Sequence, residues 1–159
     1  MTPPATVATT LGMSAGTSEN EWRELRAAAF AVLERAYAPY SKFRVGAALR
    51  TRDGQVYIGC NVENASYPAS LCAERAAVAG AVAAGARDFV AMVIASDADE
   101  PASPCGICRQ VLGELAPQLE VMSCTREGGE RRWPVSSLLP YPFTSHSLDR
   151  SEKPARRAP

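Results

Sequence analysis

The apolar run from Phe89 to Ser96 is the feature that most restricts the fold of this chain. A strand that alternates apolar and polar residues can leave one face in water, whereas a continuous apolar run needs cover on both faces. We therefore expect 89–96 to be a central strand with helices packed on either side of its sheet. The chain's 159 residues are enough for one domain with a real core.

Periodicity and turn signals place the other elements around that strand. The predicted helices are 19–37, 71–84 and 105–115, with a helical turn at 136–139, and the remaining predicted strands are 45–49, 55–60, 119–124 and 131–133. Asp53-Gly54 is a hairpin signal between the first two strands, and Val56, Ile58 and Cys60 share one face of the return strand. The order of elements predicts an α/β fold, a three-layer α/β/α domain around a central mixed five-stranded sheet.

The ends of the chain differ in composition from its middle. Residues 1–17 are predicted to be a flexible leader, 18–146 a single catalytic domain, and the charged, Pro-containing stretch 147–159 a disordered tail. The first 18 residues carry no charged side chain, so they lack the basic region of a signal peptide, and no segment is apolar enough for a membrane helix. We expect a cytoplasmic protein without a membrane partner.

The charges of the chain balance. Lys and Arg together number 17, as do Asp and Glu, which gives a formal net charge of +0. A nucleic-acid-binding domain usually carries a basic surface. We therefore expect no nucleic-acid partner and a small, weakly charged ligand.

Three of the five cysteines are spaced as metal ligands. Cys105 and Cys108 are three residues apart at a predicted helix start, and Cys72 begins the preceding helix. Three thiolates can hold Zn²⁺ and leave its fourth position open, which is the arrangement of a catalytic site. Glu74 would carry protons, provided that Cys72 projects from the helix end and Glu74 folds back toward it. Arg75 and Arg109 each follow a ligand and could donate hydrogen bonds to the sulfurs.

Other interpretations of these cysteines remain open. The Cys-x-x-Cys pair could be a redox pair, but no thioredoxin-like strand precedes it and Glu74 would be unexplained. A structural zinc site could take Cys60 or Cys124 as its fourth ligand, although both are most simply core residues on strands. The only histidine, His146, is expected in a solvated loop, so no Cys/His catalytic pair is predicted.

Four segments together resemble the small homotetrameric cytidine deaminases. The segments are Ala36 to Ala48 (AYAPYSKFRVGAA), Asn61 to Asn64 (NVEN), Cys72 to Arg75 (CAER) and Pro104 to Gln110 (PCGICRQ). Zinc deaminases carry an H-x-E…P-C-x-x-C signature with a Glu that does not bind the metal. Cys-Ala-Glu in place of His-x-Glu resembles the three-cysteine form of the free-nucleoside enzymes.

The resemblance implies zinc-dependent hydrolysis of cytidine or deoxycytidine to the uridine compound and ammonia, as in pyrimidine salvage. Cys72, Cys105 and Cys108 would bind Zn²⁺, and Glu74 would move a proton from water to N3 of the base and later to the departing amine.

The same resemblance implies the substrate contacts. Asn61 and Glu63 would bind the ribose, Phe43 would flank the pyrimidine or sugar, and the Ala73 backbone would lie near the base carbonyl or the zinc-bound hydroxyl. Phe143 would reach the active site of a neighbouring subunit in a homotetramer with shared sites.

Three other functions can be compared with the pattern. A blasticidin-type aminonucleoside deaminase shares the Cys-Ala-Glu and Pro-Cys-x-x-Cys-Arg-Gln motifs, although the Asn61–Asn64 segment favours an ordinary nucleoside. A non-catalytic, zinc-stabilised module would have no use for Glu74 beside its metal. A polynucleotide deaminase needs basic and aromatic grooves, which this composition does not favour.

Overall fold

A computed structural model describes residues 16–148. It contains five strands and five helices, with one additional 3-10 turn at Tyr67–Ala69. In chain order these are α1 (Glu19–Leu33), β1 (Val45–Thr51), β2 (Val56–Cys60), α2 (Ala73–Ala83), β3 (Phe89–Ser96), α3 (Gly106–Leu115), β4 (Glu120–Thr125), β5 (Glu130–Pro134), α4 (Val135–Leu138) and α5 (Ser145–Leu148). Residues 1–15 of the predicted leader and 149–159 of the predicted tail lie outside the described residues.

The five strands form one mixed sheet in the order β2-β1-β3-β4-β5. Strand β3 is central, antiparallel to β1 and parallel to β4, and the two edge strands are antiparallel to their neighbours. Six of the eight residues of β3, from Ala91 to Ser96, are buried in succession. The prediction of a central strand covered on both faces is therefore confirmed.

Apolar clusters cover both faces of the sheet. On one face, α1 packs Trp22, Leu25 and Leu33 against small residues of β1 and β3. On the other face, α2 and α3 pack against the residues of β1, β3 and β4 that alternate with that set, such as Met92 and Val121. The domain has the three predicted layers, and α2 and α3, which carry the cysteine motifs, lie together on one of them.

Two glycines allow helices to approach the sheet closely. A Cβ atom at Gly46 would lie 2.1 Å from the Ala29 carbonyl oxygen of α1. A Cβ atom at Gly59 would lie 2.3 Å from the Ala77 nitrogen and 2.6 Å from the Ala73 oxygen of α2. Because Ala73 is the first residue of α2, Gly59 fixes the height of that helix end above the sheet.

The end of α1 and the burial of Cys60 differ from the sequence-based expectation. Helix α1 ends at Leu33 and not at 37, because the Tyr37 nitrogen donates instead to the Asn61 oxygen at 3.0 Å. Val56 and Ile58 are 41% and 46% exposed, and Cys60 is only half-buried, since the neighbouring residues of β2 face α2. Within residues 16–148, no helix is both long and apolar enough to cross a bilayer.

Replacing Gly59 by Ala should destabilise the protein by about 1–3 kcal/mol, because the new methyl group would overlap backbone atoms that cannot move independently. Gly80→Ala is the matched control, since Gly80 lies within α2 and a Cβ atom there would contact nothing within 4 Å. That variant should be more stable by about 0.5–1 kcal/mol, as expected for Gly to Ala inside a helix. Urea unfolding measures both changes. Equal stability of the two variants would contradict this role of Gly59.

Candidate active site

The amino ends of α2 and α3 converge on three sulfur atoms. Cys72 is the residue immediately before α2 and Cys105 the residue immediately before α3, and both have extended backbone. Their Sγ atoms are 3.8 Å apart, and the Sγ atom of Cys108 lies with them in a cluster no more than 4.8 Å across. The first turn of α3 carries Cys108 on the side of Cys105, as their spacing predicts.

Glu74 lies beside this cluster and is almost fully buried, with 5% of its surface exposed. The Cys72 and Cys108 sulfurs lie close enough to its carboxylate to affect its pKa, so the side chain faces the cluster. The geometric condition stated from the sequence is met, because Cys72 precedes the helix while Glu74 is in its first turn. Burial raises the pKa of the Glu74 carboxyl above its usual value.

The thiols of the cluster differ in acidity. A hydrogen bond from the Cys108 thiol is the main influence that lowers the pKa of Cys72 to about 5, with Arg75 and Cys105 adding to it. The same shared proton, together with burial, raises the pKa of Cys108 above its usual value. The positive ends of two helices also favour a thiolate at Cys72.

The two arginines that follow the cysteines have different partners. Arg75 donates to the Ser70 oxygen at 2.9 Å and lies 3.9 Å from the Cys72 sulfur. Arg109 instead donates to Pro104 O, Leu138 O and Ser103 Oγ. The idea that Arg109 would donate to the sulfurs is wrong for this conformation, because backbone oxygens on either side of α3 lie within its reach.

The remaining cysteines do not join the cluster. Among residues 16–148, the sulfurs close enough to share a metal ion are those of Cys72, Cys105 and Cys108. Cys124 is buried in the core under α1, on the opposite face of the sheet, where burial raises the pKa of its thiol to about 11. Cys60 follows Gly59 on β2 and so projects to the face away from α2. All five cysteines are free thiols, and the four-thiolate site has no fourth member here.

A cavity of about 540 Å³ opens beside the sulfurs. This volume lies within the usual range of small-molecule sites, roughly 300–1,000 Å³. The residues proposed from the sequence that line it are Phe43, Asn61, Glu63, Cys72, Ala73, Glu74 and Cys105. Ala73 opens α2, so its N–H has no partner within that helix.

Asn61 and Glu63 make several contacts within the chain. The Asn61 side chain accepts from Val45 N at 2.9 Å and donates to Phe43 O at 2.8 Å. The Glu63 carboxylate accepts from Tyr40 N at 2.9 Å and from the backbone and hydroxyl of Ser41. The hydroxyl of Ser41 is the main influence that lowers the pKa of Glu63.

Phe143 lies outside the cavity of its own chain and is 59% exposed. The side-chain amide of Gln110, two residues after Cys108, hydrogen-bonds to both the N–H and the C=O of Phe143. Nε2 donates to Phe143 O at 2.6 Å, and Oε1 accepts from Phe143 N at 3.2 Å. Tyr141, nearby in the chain, is 94% exposed.

Other residues of the site were not singled out from the sequence as functional. Gln110 holds the Phe143 segment, and Tyr40, Ser41 and Tyr67 line the cavity. The rings of Tyr40 and Tyr67 meet edge to face with centroids 6.2 Å apart. Tyr40, Ser41 and Gln110 lie inside the motifs quoted above, but spacing alone does not indicate which side chains of a loop face a cavity.

Comparison with known proteins agrees with this geometry. The sequence profile described as the cytidine and deoxycytidylate deaminase zinc-binding region matches residues 20–124. The chain belongs to this family. A cytidine deaminase of Halalkalibacterium halodurans is 46% identical over 117 residues, which cover 73% of this chain and 89% of that protein.

Solved structures of the family have the same fold. A crystal structure of cytidine deaminase from Burkholderia pseudomallei is 50% identical, with a TM-score of 0.74, and the match covers 76% of this chain and 98% of that one. A structure from Mycobacterium tuberculosis is 38% identical, with a TM-score of 0.67 over 77% of this chain and 97% of that one. The sulfur cluster suits the zinc ion of this family, since thiolates are among the ligands that zinc prefers.

Proposed function

We propose that this protein hydrolyses the C4 amino group of cytidine and deoxycytidine, which yields uridine or deoxyuridine and ammonia. The observation that carries the proposal is the buried carboxylate of Glu74, which lies beside three converging thiols at the wall of a nucleoside-sized cavity. A purely structural zinc site has no use for a buried carboxylate at this position. The family's zinc-binding profile and the cytidine deaminases to which the chain is similar support the same reaction.

In this proposal Cys72, Cys105 and Cys108 hold the zinc ion, which would act as a Lewis acid and lower the pKa of water toward neutrality. Glu74 takes a proton from the attacking water and delivers it to N3 of the cytosine ring. It then carries the remaining proton of the new C4 hydroxyl to the amine as the C4–N bond breaks. The new C4–O bond becomes the carbonyl of the uracil ring, and ammonia leaves. Arg75 offsets negative charge on the Cys72 sulfur.

The substrate contacts in this proposal come from the loops beside α2. Asn61 and Glu63 bind ribose hydroxyls through the donor and acceptor positions that are not used by contacts within the chain. Phe43 flanks the nucleoside, and the N–H of Ala73 is available to a carbonyl of the base. Each of these residues lines the cavity.

We also propose that the protein acts in pyrimidine salvage in the cytoplasm. The proposed reaction converts nucleosides of cytosine to nucleosides of uracil, which is the direction of pyrimidine salvage. A reducing compartment keeps thiols available for zinc, and all five cysteines of the chain are free.

We propose a homotetramer in which Phe143 reaches the cavity of a neighbouring subunit. Phe143 and Tyr141 are large, exposed aromatic residues, and such residues are enriched at protein interfaces. Gln110 hydrogen-bonds to Phe143 and Arg109 to Leu138, which ties this part of the chain to the start of α3, beside Cys105 and Cys108. The segment is thus held in one position from which a second copy could be contacted.

Replacing Glu74 by Gln should lower kcat on cytidine by at least about a thousandfold and leave the zinc content unchanged. The amide keeps the size of the side chain but cannot carry protons. The absorbance change of the base follows the reaction, and atomic absorption gives the zinc content. Glu114→Gln is the control, since it makes the same change at an exposed position of α3.

Full activity of the Glu74→Gln protein would refute the proton-carrier role. A wild-type protein that binds zinc but converts neither cytidine nor deoxycytidine, and instead deaminates a blasticidin-type aminonucleoside, would replace the substrate assignment. A zinc-containing wild type that is inactive on all three compounds would favour a non-catalytic module.

Light scattering after size-exclusion chromatography should give the mass of four chains. In the same protein, Phe143→Ala should raise KM for cytidine by roughly fivefold to tenfold, as expected when an aromatic contact at an interface is removed. Its zinc content should not change, because Phe143 does not line the cavity of its own chain. A single-chain mass with full activity would contradict the shared site.

A further inference from the structure

The hydroxyl of Ser41 links a carboxylate to the backbone of an aromatic residue at the cavity wall. Ser41 Oγ–H donates to Glu63 Oε1, and Ser41 Oγ accepts from Phe43 N at 3.0 Å. The carbonyl of Phe43 in turn accepts from the Asn61 amide at 2.8 Å. The backbone of Phe43 is therefore held on its N–H side by Ser41 and on its C=O side by Asn61.

Most of the hydrogen-bond acceptor positions of Glu63 are used by the turn formed by residues 40–43. Oε2 accepts from the nitrogens of Tyr40 and Ser41 at 2.9 and 3.2 Å, while Oε1 accepts from the Ser41 hydroxyl. A carboxylate has about four acceptor positions, so three are used and about one is left for a ligand. The main role of Glu63 in this structure is therefore to stabilise the turn.

The turn itself needs such support. Lys42, between Ser41 and Phe43, has a φ of 60°, in the left-handed region that costs a non-glycine residue conformational energy. The Lys42 nitrogen donates to Ala38 O at 3.2 Å, but the residues on either side of Lys42 depend on side-chain contacts. Without Ser41 Oγ, Phe43 N loses its partner and Glu63 Oε1 loses its link to the turn.

We propose that Ser41 is a positioning residue of the active site. Its hydroxyl is fixed by Glu63 and in turn fixes the backbone of Phe43, and this relay of two hydrogen bonds keeps the Phe43 ring at the cavity wall. This inference rests on the proposed function, because it assigns a role in binding the nucleoside. Ser41, Phe43 and Glu63 all line the cavity, so loss of the relay alters a wall of the binding site. The metal cluster is on other elements and is not involved.

Steady-state kinetics on cytidine tests the relay. Ser41→Ala should raise KM about tenfold with a smaller change in kcat, the size expected for losing about one hydrogen bond that positions Phe43. Ser41→Thr keeps the hydroxyl and should restore KM to within about twofold of the wild type. In a Phe43→Ala background, Ser41→Ala should add less than about twofold, because its effect passes through Phe43. An unchanged KM in Ser41→Ala, or the same tenfold change in both backgrounds, would overturn the proposal.

Hydrogen exchange tests the same relay without any reaction. Ser41→Ala should speed exchange of the Phe43 amide by about fivefold or more, and Ser41→Thr should not. Ser137→Ala is the control, because the exposed Ser137 loses a comparable bond to Pro134 O without contacting the turn. If the wild type proves inactive on cytidine while Ser41→Ala still speeds exchange, the proposed function fails and the relay stands. Unchanged exchange at Phe43 would overturn the relay even in a fully active enzyme.

Discussion

The site depends on bringing two helix amino ends to one point. Three sulfur atoms within 4.8 Å would repel one another as thiolates, so they need positive charge close by. The ends of α2 and α3 supply part of it, Arg75 supplies more, and a bound Zn²⁺ would supply the rest. The position of α2 follows from its contact with Gly59, and the fully buried Pro104 precedes Cys105 at the start of α3. The chemistry of the site is therefore set by how closely helices pack on the sheet.

Features that depend on neighbours in sequence could be predicted. The apolar run 89–96 predicts a central strand, and the spacing of Cys105 and Cys108 predicts two ligands on one side of a helix start, because both patterns are local. The start of α2 does not follow in the same way, because the predicted range 71–84 includes Cys72, whereas Leu71 pairs with Val62 and the helix begins at Ala73.

Features that depend on distant partners could not be predicted in the same way. The periodicity of α1 continues through Ala36, but Tyr37 pairs with Asn61, which the sequence does not reveal. Arg75 comes three residues after Cys72 and Arg109 one residue after Cys108, yet carbonyl groups of Pro104 and Leu138 attract Arg109 away from the sulfurs. The outward face of β2 depends on which side α2 occupies, and alternation alone leaves that choice open.

Polar residues near the cavity serve both folding and the proposed binding. Asn61 joins the entry of β1 to its neighbouring loop, and Glu63 holds the turn before Phe43, so neither side chain is a free ligand contact. A substitution at either position changes both the backbone of the loop and any contact with a sugar. Their contributions to binding can be separated only by comparing single and double variants.

X-ray absorption at the zinc edge of the zinc-loaded wild-type protein tests the central claim most directly. Three cysteines at two helix ends predict a first shell of three sulfurs at about 2.3 Å and one lighter atom, oxygen or nitrogen, at about 2.0 Å. That shell leaves a position at which water can be activated beside Glu74. A shell of four sulfurs would mean that Cys60 or Cys124 closes the site, and it would contradict a catalytic zinc.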